Sequence, residues 1–328
     1  MAIEVWGGLD PAVMEVLAVI TLALLGATAI RSVLLSLRPG KEAREGWRSL
    51  GTWWLLYLLF LGALILGRAA VFLAMLGASI LCLREALGLV RASGIFLPLA
   101  FLNAALFGWA WLDWVSLFTV AVPACLLLLL LAETLRRVLL NRRHPKLPWR
   151  VLAFLAAVVG PSFLLGVSSF PTSGSPPVSW RGWLVALVVL TELNDIAQAW
   201  WGRALGSRPM APVLSPRKTW AGLLGGVATT VAVSLVLLPT LTPVGKESPP
   251  GVEDLVPAWV WSALLGGMVS LAGVGGDLAV SLLKRRRCVK DAGDLLPAQG
   301  GVLDRFDSLA LTAPVYLTLT SLLWIRPW

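Results

Sequence analysis

The charged residues best placed to do chemistry lie between Ser281 and Asp307. This stretch of 27 residues holds six Lys or Arg, four Asp and a Gly-Gly pair, whereas the whole chain is 58% hydrophobic. Apolar runs flank it on both sides. A block that carries both charge signs at a membrane surface can gather polyphosphate, a divalent cation and an anionic lipid headgroup in one place.

Two carboxylates open the last apolar run. Asp304 and Asp307 are three residues apart and therefore share one face of a helix. They can complement the positive end of the helix dipole. They can also bind a hard cation such as Mg²⁺, which takes few protein oxygens and completes its shell with water and phosphate. Gly300 and Gly301, just before them, allow backbone N–H groups to approach an anion.

A third carboxylate lies inside the preceding apolar run. Asp277, Ser281 and Lys284 are spaced as i, i+4 and i+7, so a helix would place them on one polar stripe. Three glycines within 273–276 permit close helix approach or a local break. An ionisable residue within a membrane span is a functional-site hypothesis by default.

A polar group interrupts another apolar run upstream. Glu192, Asn194, Asp195 and Gln198 lie near its basic end. Such residues can hydrogen-bond neighbouring helices together, or they can form the wall of a polar cavity. Four of them so close together favour the cavity.

The short sequence Ser215-Pro216-Arg217-Lys218-Thr219 precedes the next apolar run. Serine is a good N-cap and proline suits the first helical position, so the pattern predicts a helix that begins here. Its free N–H groups would then favour phosphate. A helix cap beside ordinary loop charge explains the same residues equally well.

Composition indicates the elements that must position these groups. The chain has 328 residues, a net charge of +9, only 14% charged residues and a mean hydropathy of +0.82. Recurrent Leu-rich runs predict an all-α, polytopic transmembrane protein. The basic residues lie in short loops, so membrane topology explains them before nucleic-acid binding does. One histidine, His144, and three cysteines exclude a His-rich metal site and a disulfide framework.

We expect about ten spans, with a cytoplasm-facing polar cavity in the C-terminal half. Loops 31–51, 135–150, 202–219 and 284–306 hold five, six, four and six basic residues, which predicts that they are cytoplasmic. Residues 41–51 suggest a short interfacial helix. We divide the chain into N-terminal helices, 1–180, and a C-terminal catalytic region, 181–328. The predicted spans are 11–30, 52–67, 69–90, 93–112, 115–134, 150–168, 183–201, 220–240, 258–283 and 307–325.

The C-terminal block resembles the signature of the phosphatidate cytidylyltransferases, the CDP-diglyceride synthases. That signature reads roughly S-x-x-K-R, four residues, K-D, then P-x-H-G-G and x-x-D-R-x-D. The matching residues are Ser281, Lys284, Arg285, Lys290, Asp291, Pro297, Gly300, Gly301, Asp304, Arg305 and Asp307. Gly276-Asp277, the run 215–219 and Asp195 are also similar to that family, and the resemblance covers roughly residues 190–315.

The resemblance implies transfer of CMP from CTP to phosphatidic acid, with Mg²⁺ as cofactor and room for a second cation. Asp277 and Asp304 would hold the metal. The catalytic group would be Lys284, Arg285, Lys290, Asp291, Arg305 and Asp307, and the substrate-binding group Asp195, Ser215, Lys218, Thr219, Gln299, Gly300 and Gly301. The resemblance further implies a bacterial-type cell-membrane enzyme that contacts membrane lipids and forms a homodimer. From the basic loops we expect its active site to face the cytoplasm, and we expect no nucleic-acid partner.

One residue departs from the signature. Gln299 stands where the family has histidine. Glutamine can hydrogen-bond a phosphate but cannot exchange a proton, although an already anionic phosphate needs no general base in order to attack. The alternatives are a CTP-dependent transferase or kinase on another lipid phosphate or isoprenoid, and a transporter or non-catalytic paralogue.

Overall fold

The computed structural model describes residues 9–37, 40–112, 147–168, 170, 179–252 and 255–324. Its helices are α1 (Pro11–Leu37), α2 (Lys41–Leu66), α3 (Arg68–Leu89), α4 (Phe96–Leu112), α5 (Leu147–Ser168), α6 (Trp180–Leu205), α7 (Trp220–Leu241), α8 (Ala258–Arg286), α9 (Leu303–Phe306) and α10 (Leu309–Trp324). A 3₁₀ turn covers Ser93–Ile95, and strands β1 (Pro209–Ala211) and β2 (Ser215–Thr219) form a small antiparallel hairpin.

The all-α, membrane-spanning class is confirmed. Seven helical segments in the described part of the chain are long and apolar enough to cross a membrane, and two shorter apolar helices cover Ser93–Trp109 and Leu152–Ser168. Nine of the ten predicted spans therefore coincide with helices. The predicted span 115–134 lies outside the described residues, so the total of ten stays a prediction.

Two boundaries in the N-terminal half bear on the predictions. The predicted short helix 41–51 is instead the first part of α2, because apolar residues continue the same helix to Leu66. The predicted break between the second and third spans is confirmed, since α2 ends at Leu66 and α3 begins at Arg68. Gly67 has φ 93°, a left-handed backbone that glycine tolerates without penalty and that ends α2 directly before α3 begins.

The expected helix start at Ser215 is wrong. Residues 215–219 are extended because they pair with β1, with Ala211 opposite Ser215 and Pro209 opposite Thr219. The helix begins at Trp220, and Thr219 is its N-cap: the Thr219 Oγ1 accepts a hydrogen bond of 3.1 Å from the Gly222 N–H. Lys218 and Arg217 therefore project from a strand rather than from a helix start.

Helices from both halves of the chain form the core. The closest neighbours are α6 with α7, α3 with α5, α7 with α8, and α10 with both α5 and α8. Trp183 on α6 packs edge-on against Phe170 and Tyr316, with ring centroids 5.4 and 6.3 Å apart. A second apolar cluster joins Leu83 of α3 to Leu303 of α9, so the N-terminal helices support the start of the final span.

Predicted basic loops meet at one end of the helices. The Arg285 Nε donates to the Leu214 carbonyl at 2.9 Å, which joins loop 284–306 to loop 202–219. The Thr52 Oγ1 donates to the Pro297 carbonyl at 2.8 Å, beside loop 31–51. The Arg286 guanidinium lies 4.1 Å from the centre of the Trp149 ring, next to the predicted loop 135–150. This end of the molecule therefore concentrates positive charge.

Gly276 sets the distance between α8 and the start of α10. A Cβ at this position would overlap the Asp307 carbonyl oxygen and lie 2.9 Å from that of Ser308. Gly276→Ala should therefore lower the free energy of unfolding by about 1–3 kcal/mol. Thermal unfolding of the detergent-solubilised protein measures this. Gly267→Ala on the same helix is the control, since its Cβ would meet only Val231 at 3.7 Å. Equal unfolding midpoints for the two variants would contradict the prediction.

Candidate active site

A cavity of about 290 Å³ is lined by seven of the fifteen predicted site residues. Helices α6, α7, α8 and α9, both strands of the hairpin and the turn after α9 enclose it. Its polar lining consists of Glu192, Asp195, Gln198, Arg217, Lys218, Thr219, Asp277, Asp304, Arg305 and Asp307. These residues are separated by up to 115 positions along the chain, so the fold brings the scattered motifs of the C-terminal half together.

Asp277 pairs with a lysine from the hairpin. Its Oδ2 lies 2.5 Å from the Lys218 Nζ, and its Oδ1 accepts a 3.2 Å hydrogen bond from the Ser281 Oγ one turn later. The helix α8 is unbroken through this region, so the glycines before Asp277 serve close packing rather than a break. Both members of the pair line the cavity.

Asp304 connects the loop after α8 to the helix itself. Its Oδ1 lies 2.7 Å from the Lys284 Nζ, while its Oδ2 accepts backbone hydrogen bonds from the Ala292 N–H at 2.7 Å and the Gly301 N–H at 2.9 Å. Only 7% of Asp304 and 8% of Lys284 are exposed. A buried charge-assisted pair of this kind fixes the conformation of its surroundings.

A further carboxylate pair is joined through Ser308. The Ser308 Oγ donates to the Asp195 Oδ2 at 2.5 Å, and the Ser308 N–H donates to the Asp307 Oδ1 at 2.8 Å. The Lys284 Nζ lies 3.9 Å from the Asp307 Oδ2. Lys284 thus stands between Asp304 and Asp307. Sequence reasoning missed Ser308, because its partner Asp195 is 113 residues away.

The polar residues of α6 divide between the two expected roles. Asn194 is buried and accepts hydrogen bonds at its Oδ1 from Thr230 at 3.2 Å and Ser270 at 2.6 Å, so it links α6 to α7 and α8. Glu192, Asp195 and Gln198 line the cavity. Asn194 therefore hydrogen-bonds helices together, whereas the other three residues form part of the cavity wall.

Some predicted residues lie beside the cavity rather than on its wall. Arg285 binds the carbonyl oxygens of Leu214 and Val289, each at 2.9 Å. Lys290 and Asp291 are exposed in the loop, and Ser215 lies in β2. Their roles in catalysis or substrate binding stay predictions.

Glycines shape the loop that carries these residues. Gly300 has φ 84°, and a Cβ there would lie 2.7 Å from the Asp304 Oδ2. The adjacent Gly301 places its N–H on that same oxygen. A Cβ on Gly301 would overlap the Glu85 carboxylate, so both glycines allow the backbone to pack against carboxylates. An approach of these glycines to a phosphate stays a prediction.

Gln299 faces α2. Its Nε2 donates to the Ser49 carbonyl oxygen at 2.9 Å and lies 3.1 Å from the Ser49 Oγ. Gln299 is not among the described residues that line the cavity. The amide at this position therefore ties the loop to the N-terminal half.

Glu85 on α3 is a positioning residue that sequence reasoning missed. Its carboxylate accepts hydrogen bonds from the Val302 N–H at 3.1 Å and the Leu303 N–H at 2.8 Å, which caps the start of α9. A Cβ on Gly293 would lie 2.6 Å from the Glu85 Oε1, so the loop packs directly on this side chain. The sequence feature that could have identified Glu85 is its position as a carboxylate within the predicted span 69–90.

Removal of this cap should destabilise the protein. Glu85→Ala leaves two backbone N–H groups without their acceptor and should lower the free energy of unfolding by about 1–3 kcal/mol. Glu85→Gln keeps one acceptor oxygen and should lose less. The exposed Glu15 of α1 provides the control Glu15→Ala. Unfolding curves in detergent measure all three variants, and a Glu85→Ala midpoint equal to that of Glu15→Ala would contradict the assignment.

The lining fits a divalent cation by its charge and donor chemistry. Five carboxylates (Glu192, Asp195, Asp277, Asp304, Asp307) face three cationic side chains (Arg217, Lys218, Arg305), a formal excess of two negative charges. In the described part of the chain no three His, Cys, Asp or Glu residues form a complete metal site. Mg²⁺ does not need one, because it is typically held by one or two carboxylates together with substrate phosphates and water.

Comparison with known proteins places these observations in a family. The Cytidylyltransferase family model matches residues 47–323. The chain is 44% identical over 130 residues to the "Uncharacterized protein YnbB" of Escherichia coli, 40% of this chain and 39% of that one. It is 33% identical over 148 residues to the phosphatidate cytidylyltransferase of Pseudomonas aeruginosa, 45% of this chain and 49% of that one. It is also 33% identical over 217 residues to the phosphatidate cytidylyltransferase of Brucella suis, 65% and 72% of the respective chains.

The chain thus spans less than half the length of the first two relatives and nearly three quarters of the third. The family match begins at residue 47, well before residue 190, where the motif resemblance starts. The helices that carry Ser49 and Glu85 are therefore part of the family's shared region. The family model matches most of the chain, and Asp304, Arg305 and Asp307 of the signature line one cavity, so this chain belongs to the cytidylyltransferase family.

Proposed function

We propose that this protein transfers CMP from CTP to phosphatidic acid and releases pyrophosphate, which yields CDP-diacylglycerol. The observation that carries the proposal is the cavity, where the signature residues Asp277, Asp304, Arg305 and Asp307 converge with Asp195 and Lys218. The relatives from Pseudomonas aeruginosa and Brucella suis are both phosphatidate cytidylyltransferases by name.

The reaction needs positioning and charge neutralisation more than proton transfer. An anionic oxygen of the lipid phosphate attacks the α-phosphorus of CTP, a new P–O bond forms, and the bond from that phosphorus to the bridging oxygen of the β-phosphate breaks. Pyrophosphate leaves with the bonding electrons. The nucleophile is already ionised, so no side chain must remove a proton from it.

The cationic side chains of the cavity neutralise phosphate groups. Arg305 lines the wall, and its buried Nε has no hydrogen-bond partner among the described residues, so it can donate to a phosphate oxygen. Arg217 and Lys218 extend from β2 into the same space. Lys284 is held between Asp304 and Asp307, within reach of the same charges.

Asp277 and Asp304 are the proposed ligands of Mg²⁺, which when bound would neutralise charge on the reacting phosphates. Each of these carboxylates is paired with a lysine, Lys218 or Lys284. Lys218 and Lys284 thus lie on the two carboxylates that would hold the cation, where each ammonium group can also neutralise phosphate charge.

The proposal also assigns the sides of the membrane. Loops 202–219 and 284–306, which contribute to the cavity or border it, are rich in basic residues, and such loops are cytoplasmic in membrane proteins. CTP therefore enters from the cytoplasm of a bacterial-type cell membrane, while acyl chains remain in the bilayer. A homodimer stays a prediction that follows from the family resemblance.

Pyrophosphate release tests the function. Purified protein in phosphatidylcholine nanodiscs with Mg²⁺ and CTP should release pyrophosphate when phosphatidic acid is added. It should release much less with an isoprenoid phosphate, and none without an acceptor. Release with another lipid phosphate alone would overturn the assigned acceptor, and no release with any acceptor would overturn the activity.

Gln299→His is measured beside the wild type in the same assay. Because Gln299 binds Ser49 and does not line the cavity, restoring the family's histidine should change the rate by less than about tenfold. A wild-type protein that is inactive until histidine is restored would identify position 299 as the reason for a lapsed activity.

A further inference from the structure

A second cavity lies at the C-terminal end of α8 and shares no lining residue with the candidate active site. It has a volume of about 410 Å³ and is formed where α3 and α8 end and α5 begins. Three arginines line it: Arg91, Arg286 and Arg287. None of these three belongs to the signature residues, and none lines the first cavity.

The side chain of one arginine and the backbone of another are held by their surroundings. The Arg286 guanidinium lies 4.1 Å from the centre of the Trp149 ring, a cation–π distance that fixes its plane. Arg91 occupies a left-handed conformation with φ 53°, in a turn closed by a 3.2 Å hydrogen bond from its N–H to the Gly88 carbonyl. A non-glycine residue in this conformation carries local strain, which the fold maintains at this position.

The third arginine, Arg287, has a hydrogen-bond donor without an acceptor among the described residues. The Arg287 Nη1 is buried and has no hydrogen-bond partner among the described residues. No acidic side chain is found among the described residues that line the cavity. A membrane protein places arginines in cytoplasmic loops for topology alone, but topology requires neither a buried, unsatisfied guanidinium N–H nor three arginines around one space.

We propose that this cavity binds a phosphate group, carried by an anionic lipid headgroup or by a soluble phosphate. Guanidinium groups donate in a planar fork that matches phosphate oxygens, and three of them would neutralise a dianion. Leu89 and Val90 supply an apolar wall beside the arginines, as a headgroup with its glycerol backbone requires. The site is separate from the proposed reaction and is tested without it.

Cys288 supplies the readout, because this thiol lines the cavity and is exposed. Its alkylation by N-ethylmaleimide can be followed by peptide mass spectrometry, which separates it from Cys82 and Cys125. The protein is placed in nanodiscs of phosphatidylcholine, of phosphatidylcholine with phosphatidylglycerol, or of phosphatidylcholine with millimolar inorganic phosphate in the buffer. For each variant the measured quantity is the ratio of rates without and with the anion, so that intrinsic thiol reactivity cancels.

The wild type should be protected at least about threefold in one anionic arm, the factor expected when the anion stands at twice its dissociation constant. Protection in the lipid arm assigns the phosphate to a headgroup, and protection in the phosphate arm assigns it to a soluble anion. Arg287→Gln and Arg286→Gln should each remove the protection. Arg203 is exposed on α6, so Arg203→Gln is the control and should keep the protection. Buried Cys82 should stay unreactive in every variant, which confirms that the fold is intact.

Two results would overturn the proposal. One is a wild-type alkylation rate that neither anion changes. The other is protection that persists unchanged in both Arg286→Gln and Arg287→Gln, since a general effect of surface charge on the thiol would act in that way.

Discussion

Asp304→Asn should reduce pyrophosphate release by about 10³-fold and also lower the stability of the protein. The Asp304 carboxylate accepts from the Lys284 ammonium on one oxygen and from two backbone N–H groups on the other. Asparagine has one oxygen and one NH₂ group, so a donor must face either Lys284 or the two N–H groups. Leaving such buried groups unsatisfied should lower the free energy of unfolding by about 2–4 kcal/mol. The loss of a proposed ligand of the cation accounts for the lower rate.

Asp294→Asn provides the matched control for this change. Asp294 is an exposed carboxylate in the same loop and lies outside the lining of the cavity. It should keep both the wild-type rate and the wild-type unfolding midpoint. Activity of Asp304→Asn within threefold of Asp294→Asn would remove Asp304 from the reaction.

Asp277→Asn should reduce the rate by about 10²–10³-fold with little change in unfolding. Asp277 forms an ion pair with Lys218 and accepts a hydrogen bond from the Ser281 side chain, and no backbone hydrogen bond to it is found among the described residues. The pyrophosphate assay measures the rate, and circular dichroism during heating measures the unfolding.

A double variant separates catalysis from pairing. If Asp277 served only to neutralise Lys218, then Asp277→Asn with Lys218→Met would remove both charges and recover activity. We expect no recovery, because Asp277 is a proposed ligand of the cation and Lys218 neutralises phosphate charge in the proposed reaction. Recovery above about a third of the wild-type rate would contradict the catalytic role of Asp277.

Local patterns predicted those features that depend on neighbouring residues. The stripe of Asp277, Ser281 and Lys284 followed from helical periodicity alone, and the hydrogen bond between the first two confirms it. The close approach at Gly276 followed from the glycines beside it. Residues three to seven apart on a helix have little freedom in their relative positions, so such predictions need no knowledge of the tertiary structure.

Partners across the fold could not be predicted in the same way. The pairing of Lys218 with Asp277 depends on where a hairpin packs, and the same hairpin keeps Ser215 from capping a helix. Glu85 caps α9 from a helix more than two hundred residues earlier. Periodicity and propensity carry no information on such distant contacts, which tertiary packing decides.

The substitution at residue 299 is another case in which sequence patterns do not predict a distant contact. The sequence identifies that Gln299 replaces a histidine of the signature, but the direction of the side chain comes from its contact with Ser49 on α2. The family match that begins at residue 47 fits this contact, since it includes the helix against which the loop rests.

The central claim is that Asp277 and Asp304 hold a divalent cation at the reacting phosphates. Binding of Mn²⁺, which shares the preference of Mg²⁺ for carboxylate oxygens, is measured most directly by the loss of the free Mn²⁺ electron paramagnetic resonance signal on titration with protein in phosphatidylcholine nanodiscs. We predict binding by the wild type and by Asp294→Asn, and affinity at least about tenfold weaker in Asp277→Asn and in Asp304→Asn. No binding by the wild type, or equal binding by all four proteins, would contradict the claim.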